Sequence, residues 1–325
     1  MKAIELDEYL AYAYNVCGIA YMDLKNYHSA VLDFNKSIRL EPNDFTAYSN
    51  RSHAHYNLKN YKQAVDDASK AIELNPNFYP AYNNRAIAYM GLNKYNEGIS
   101  DLNKVIRIYP KAAMAYYNRG IAYFNLKNYS QAVSDYTKAI EIKPDYDVLT
   151  FPDYSLVYFN RALAYSELKD YDKAIIDYKK VVELNPNNTD VYLNLGILYN
   201  LVLDNPNESI NYTTKAIQID PNFAKSYYVR GNSYKMLKNY EQSMSDYNKA
   251  IHIDPNFELA YADRAFIRIM MGNFKDALND FNKVIEINPN NASYYFGRAG
   301  CYHELGENEK SQRDLEKARQ LGLNI

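Results

Sequence analysis

Seven arginines (Arg51, Arg85, Arg119, Arg161, Arg230, Arg264 and Arg298) are each followed sixteen residues later by an aspartate: Asp67, Asp101, Asp135, Asp177, Asp246, Asp280 and Asp314. A guanidinium and a carboxylate at a fixed interval do pairing chemistry, because the planar fork matches two oxygens at once. The first four of these arginines follow an asparagine (Asn50, Asn84, Asn118, Asn160), and Asn194 stands at the same place before Leu195. A carboxamide both donates and accepts, so a row of them at a regular interval can hydrogen-bond the backbone of an extended chain without reading its side chains.

Other chemistry is poorly supplied. The five histidines are His28, His53, His55, His252 and His303. His53 and His55, two apart on a helix, point to different faces and do not chelate one metal. No Ser-His-Asp or Cys-His set and no glycine-rich phosphate loop is present, so neither an enzyme, a metal nor a cofactor is expected. A formal net charge of -2 leaves no basic stripe for nucleic acid. The start, MKAIELDEYL, has no basic segment leading into an apolar one, and no run of apolar residues is long enough to span a membrane. Cys17 and Cys301 lie at opposite ends of the chain, too far apart for a disulfide in an extended stack, and read as reduced core thiols. These features together suggest a cytoplasmic location.

The elements that position the pairs follow from a period. Eight prolines (Pro42, Pro76, Pro110, Pro144, Pro186, Pro221, Pro255, Pro289) are spaced 34, 34, 34, 42, 35, 34 and 34 residues apart. With each proline near position 32, nine repeats begin at Ala11, Phe45, Tyr79, Ala113, Ser155, Thr189, Ala224, Glu258 and Ala292. Position 4 is tyrosine in all nine, position 8 is small, and position 24 is commonly Phe or Tyr, as in Phe34, Tyr136, Tyr178 and Phe281. Positions 4, 8 and 11 make one helical stripe and positions 20, 24 and 27 another. Each repeat is therefore two amphipathic helices, and the proline ends the second.

This pattern resembles the tetratricopeptide repeat over essentially the whole chain. The resemblance implies an all-α, right-handed superhelical solenoid whose first helices line a groove. Pentatricopeptide proteins, which read RNA, have helical pairs of similar length, but the Ala, Gly, Tyr and Pro spacing fits the tetratricopeptide pattern better, and the acidic balance agrees. Three departures stand out. Residues 1–10 read as the end of a preceding repeat or an N-terminal half-cap, with Glu8 where proline should stand. Residues 147–154 are an insertion between the fourth repeat, in 11–146, and the fifth, in 155–325. The sixth repeat has one extra residue, and Pro206 falls where Tyr129 and Tyr171 pack in the fourth and fifth, so its internal turn should be irregular. The last helix is polar nearly all round, as capping repeats are.

Arginine at position 7 lies on the inward stripe, where a lone charge is costly. The aspartate at position 23 of the same repeat is its expected partner, since in the sixth repeat Leu195 and Tyr212 replace both charges together. This scheme leaves Asp33 opposite Cys17. Asparagine at position 6 falls with 2, 9 and 13 on the face turned away from the helix pair, beside Ile87, Met90, Met114, Tyr117, Ile121, Phe124, Phe159 and Leu163. The row resembles the asparagine ladder in the tetratricopeptide half of O-GlcNAc transferase and in armadillo-type import receptors. That resemblance implies an adaptor that binds an extended protein segment. An assembly scaffold using its edges or convex face, or the targeting part of a larger enzyme, are the alternatives. The two-carboxylate clamp of co-chaperones needs cations where Asn15, Pro80 and Asn84 stand and asparagines where Ile19 and Asn50 stand; only Asn50 matches, so the acidic C-terminus of heat-shock chaperones is not an expected partner.

Overall fold

A computed structural model of the chain describes residues 2–142 and 154–324, with side chains from residue 10 onward. It forms two compact parts, residues 1–180 and 181–325. The first holds α1 (Lys2–Asp23), α2 (Tyr27–Leu40), α3 (Phe45–Asn57), α4 (Tyr61–Leu74), α5 (Tyr79–Gly91), α6 (Tyr95–Ile108), α7 (Ala113–Asn125), α8 (Tyr129–Glu141), α9 (Tyr154–Glu167) and most of α10 (Tyr171–Leu184). The second holds α11 (Thr189–Leu201), α12 (Pro206–Ile219), α13 (Ala224–Met236), α14 (Tyr240–Ile253), α15 (Glu258–Met270), α16 (Phe274–Ile287), α17 (Ala292–Glu304) and α18 (Asn308–Gln320). Among the described residues there are no strands. In each part a repeat's two helices pack together, and its second helix packs on the next first helix. First helices also touch one another, as in α3 with α5 and α11 with α13.

The turn inside each repeat is built by two residues. Position 15 takes the left-handed conformation, with Lys127 at φ 59° and Gly272 at φ 76°. In the fourth repeat this lets Lys127 N donate to Phe124 O (2.9 Å) and Asn128 N donate to Tyr123 O (2.9 Å), closing α7 in a Schellman turn. The Oδ1 of Asn128 then accepts from Gln131 N and opens α8, so one residue ends one helix and starts the next. In the sixth repeat the extra residue moves the left-handed position to Asp204, and Asn205 N reaches back to Tyr199 O. Pro206 then sits at the first position of α12, where no intrahelical donor is needed. Between repeats, the position 4 hydroxyl latches the proline turn, as where Tyr82 Oη donates to Pro76 O at 3.1 Å and Tyr295 Oη to Pro289 O at 3.1 Å.

The first helix, α1, runs unbroken from Lys2 to Asp23, with Glu8 in place of a helix-breaking proline. One expectation needs correction. Cys17 is exposed, whereas Cys301 is fully buried. Cys17 is at position 7 of α1, and among the described residues no helix precedes α1 to cover it. Cys301 is at position 10, under the small-residue stripe, where burial pushes its thiol up to about 11. The insertion lies outside the described residues except for Tyr154, which opens α9.

Helix pairs approach closely where position 8 is glycine. A methyl at Gly120 would stand 2.6 Å from the Tyr136 ring, which is almost wholly buried, while Gly300 in α17 has nothing within 4 Å. Overpacking costs about 1–3 kcal/mol, more than the roughly 1 kcal/mol that alanine gains over glycine in a helix. Gly120→Ala should therefore lower the urea-unfolding midpoint, and Gly300→Ala should raise stability by about 0.5–1 kcal/mol. The opposite signs are checked on the two variants side by side.

Candidate functional site

The rigid base of the site is the arginine at position 7. In the fourth repeat Arg119 Nε donates to Asp135 Oδ2 (2.8 Å) and Nη2 donates to Asp135 Oδ1 (2.6 Å). The same two-pronged contact joins Arg51 to Asp67, Arg85 to Asp101, Arg161 to Asp177, Arg230 to Asp246, Arg264 to Asp280 and Arg298 to Asp314. Each guanidinium also lies over the position 4 tyrosine ring of its own repeat, 5.4 Å away for Arg119 and Tyr116. The hydrogen bonds it donates to Asp135 hold the Arg119 guanidinium above its ordinary value against the effect of burial. Asp33, which lacks an arginine, takes Lys36 at 2.9 Å instead.

Sequence reasoning missed the third arm. Arg119 Nη1 donates to Asn103 Oδ1 of the preceding repeat at 2.6 Å. Arg51 reaches Asn35 in this way, Arg85 Ser69, Arg161 Thr137, Arg230 Thr214, Arg264 Asn248 and Arg298 Asn282. The signal was present at position 25, which is Asn, Ser or Thr ahead of every arginine and becomes Lys179 ahead of Leu195.

The asparagines of the row are also engaged between repeats. Asn50 Nδ2 donates to Asn15 Oδ1 (2.9 Å), Asn84 Nδ2 to Ser49 O (2.9 Å), Asn118 Nδ2 to Asn83 Oδ1 (3.2 Å) and Asn160 Nδ2 to Tyr117 Oη (2.9 Å). Each bond runs from position 6 to position 5 of the repeat before. Two of the amide orientations follow from acceptor-only neighbours. The Ser49 carbonyl requires the Asn84 NH2, and Asp44 takes the Asn15 NH2, leaving only the Asn15 oxygen to face Asn50. Asn118 is 8% exposed, and Asn50, Asn84 and Asn160 are half-buried. Asn194 lies in the second part and is half-buried.

Around the row, Ile87, Met90, Met114, Tyr117, Ile121, Phe124, Phe159 and Leu163 are all half-buried. Their inner edges pack on the core: Tyr117 tilts against Tyr136 at 6.0 Å and Phe124 against Tyr129 at 5.2 Å. In the second part the same face exposes Leu259, Phe266, Met270 and Phe296 at positions 2, 9, 13 and 5. Among the described residues no three His, Cys, Asp or Glu side chains converge on a metal position, and no helix is long and apolar enough to cross a membrane.

Tetratricopeptide-repeat models match residues 11–44, 45–78, 68–99, 113–146, 155–188, 177–210, 224–257 and 267–306. The chain belongs to the tetratricopeptide repeat family. A tetratricopeptide repeat protein from Parabacteroides merdae is similar in structure, at 23% identity over 76% of this chain and 94% of that one, with a TM-score of 0.57. YrrB, described as a protein of this family with an unusual peptide-binding site, is 24% identical over 60% of this chain and 96% of its own, with a TM-score of 0.51. PilF of Pseudomonas aeruginosa is 17% identical over 68% and 96%, with a TM-score of 0.57. These likenesses are of fold. No curated protein matches the chain by sequence. Family membership makes the chain a protein-interaction scaffold.

Two outcomes follow from the geometry. Asp135 has a side chain only 5% exposed, so Arg119→Leu should destabilise by up to about 3 kcal/mol, discounted for the water that reaches the guanidinium. The double variant Arg119→Leu, Asp135→Leu should recover more than half of that in chemical denaturation, since it removes both charges as Leu195 and Tyr212 do. His55 Nε2 lies 3.8 Å from Asp67 Oδ2. Burial is the main influence and lowers its imidazole below the ordinary value, with Asp67 opposing and Arg51 assisting. The unfolded chain then binds a proton that the folded chain refuses, so stability is complete above about pH 6.5 and declines below it. His55→Tyr should flatten that acid-side slope in thermal melts.

Proposed function

We propose that the first-helix face of α3, α5, α7 and α9 binds an extended segment of a partner protein, with no chemical step. The observation that carries this reading is what remains of each amide. With Nδ2 engaged, Asn50, Asn84, Asn118 and Asn160 keep Oδ1 as an acceptor, once per repeat. An extended backbone offers N–H donors at regular intervals, and the row meets them without regard to sequence. Ile87, Met90, Ile121, Phe124 and Leu163 supply the apolar surface on which side chains of the segment rest. The peptide-binding site described for YrrB lends the reading support by analogy alone. Among positions 2, 5, 6, 9, 12 and 13 of the first five repeats there is no Lys or Arg, so an acidic C-terminus has no counter-charge there.

The test uses a peptide selected by the full-length protein from a random displayed library. Substituting Asn84, Asn118 and Asn160 by Ala should weaken its binding at least tenfold by fluorescence anisotropy. Unchanged affinity in a folded triple variant would remove the row from the site.

A further inference from the structure

A cavity of about 250 Å³ opens on this face between α1, α2 and α3. Ile19, Met22 and Phe34 give it an apolar lining, joined by Tyr27 and His53. Asp23, Asn50 and Asn57 supply the remaining polar groups. Each amide spends one N–H within the fold: Asn50 Nδ2 donates to Asn15 Oδ1, and Asn57 Nδ2 donates to the His53 carbonyl at 2.9 Å. That carbonyl accepts only, so the Asn57 orientation is fixed, and both side chains keep Oδ1 as an acceptor. Asp23 ionised has acceptors and nothing else.

Asp23 is also misplaced for stability. It is the last residue of α1, at the negative end of the helix dipole, where a carboxylate is unfavourable. No lysine or arginine pairs with it among the described ion pairs. At the same position the next three repeats carry Asn57, Gly91 and Asn125.

We infer that this cavity receives an arginine side chain of the bound segment, its aliphatic stem on Ile19, Met22 and Phe34 and its guanidinium on Asp23 and the two amide oxygens. Arginine has five donors and no acceptor, which complements a rim of acceptors, and its plane stacks on an aromatic face such as that of Tyr27. No lysine or arginine stands at the neighbouring first-helix positions of this face. The assignment rests on the segment-binding reading above and narrows it: the segment carries a basic residue where it crosses the first and second repeats.

The test is a methyl NMR titration of the full chain, labelled at Ile and Met methyls, with N-acetyl-arginine methylamide. Parallel titrations use the citrulline, norleucine and glutamate analogues. The arginine compound should shift the Ile19 and Met22 methyls, with the citrulline analogue, which keeps the shape and loses the charge, binding at least fivefold more weakly. Asp23→Asn, at an exposed helix end, should remove that preference and leave the spectrum of a folded protein. Equal shifts with citrulline or norleucine, a stronger response to glutamate, or no response to arginine would each overturn the assignment. A single-residue probe reports on this cavity alone, so its failure is distinct from loss of the selected peptide along α3 to α9.

Discussion

The arginine at position 7 carries three obligations at once. Its Nε and Nη2 join the two helices of its own repeat through one aspartate, its plane covers a tyrosine, and its Nη1 crosses to the repeat before. A guanidinium can do this because its five donors are held in one rigid plane, whereas an ammonium offers a point charge without direction. A hairpin of two short helices cannot bury its apolar stripe alone, so its stability comes from neighbours. The arginine makes that dependence directional. It sets which side chain of the previous second helix lies beside the next first helix, and so holds the first-helix face in register from one repeat to the next.

That register is what the face requires. The asparagine row is tied by the same logic, each amide nitrogen bonded to position 5 of the preceding repeat, so that the oxygens recur at the interval of the repeat and not of the side chain. The apolar residues beside them are half-buried, anchored on the core by their inner edges and open on their outer ones. A surface of this kind is already ordered before a partner arrives, which lowers the entropy lost on binding an extended segment.

Much of this was legible in the sequence. The period, the helix pairs and the Arg–Asp spacing show because single residue types recur, and because Arg and Asp disappear together in the sixth repeat. The bond to position 25 was harder to see, since Asn, Ser and Thr share only an oxygen, and its loss shows as Lys179. Engagement of the amide donors was hidden for a similar reason: the acceptors are a side-chain amide at Asn15 and Asn83, a main-chain carbonyl at Ser49 and a phenol at Tyr117. Cys17 was misread because burial belongs to the neighbouring helices and not to the residue. The unbroken α1 followed from the one repeat boundary that lacks proline. The cavity beside Asp23 depends on three elements meeting, and no periodic rule announces it.

The central claim is that position 7 couples adjacent repeats, and a double-mutant cycle between Arg161 and Thr137 tests it most directly. These residues bond at 3.0 Å across the one boundary with inserted residues, where chain connectivity helps least. Unfolding of the wild type, Arg161→Leu, Thr137→Val and the double variant should give a coupling of about 0.5 kcal/mol or more. Additive effects, with a coupling indistinguishable from zero, would show that the arginine serves its own hairpin only.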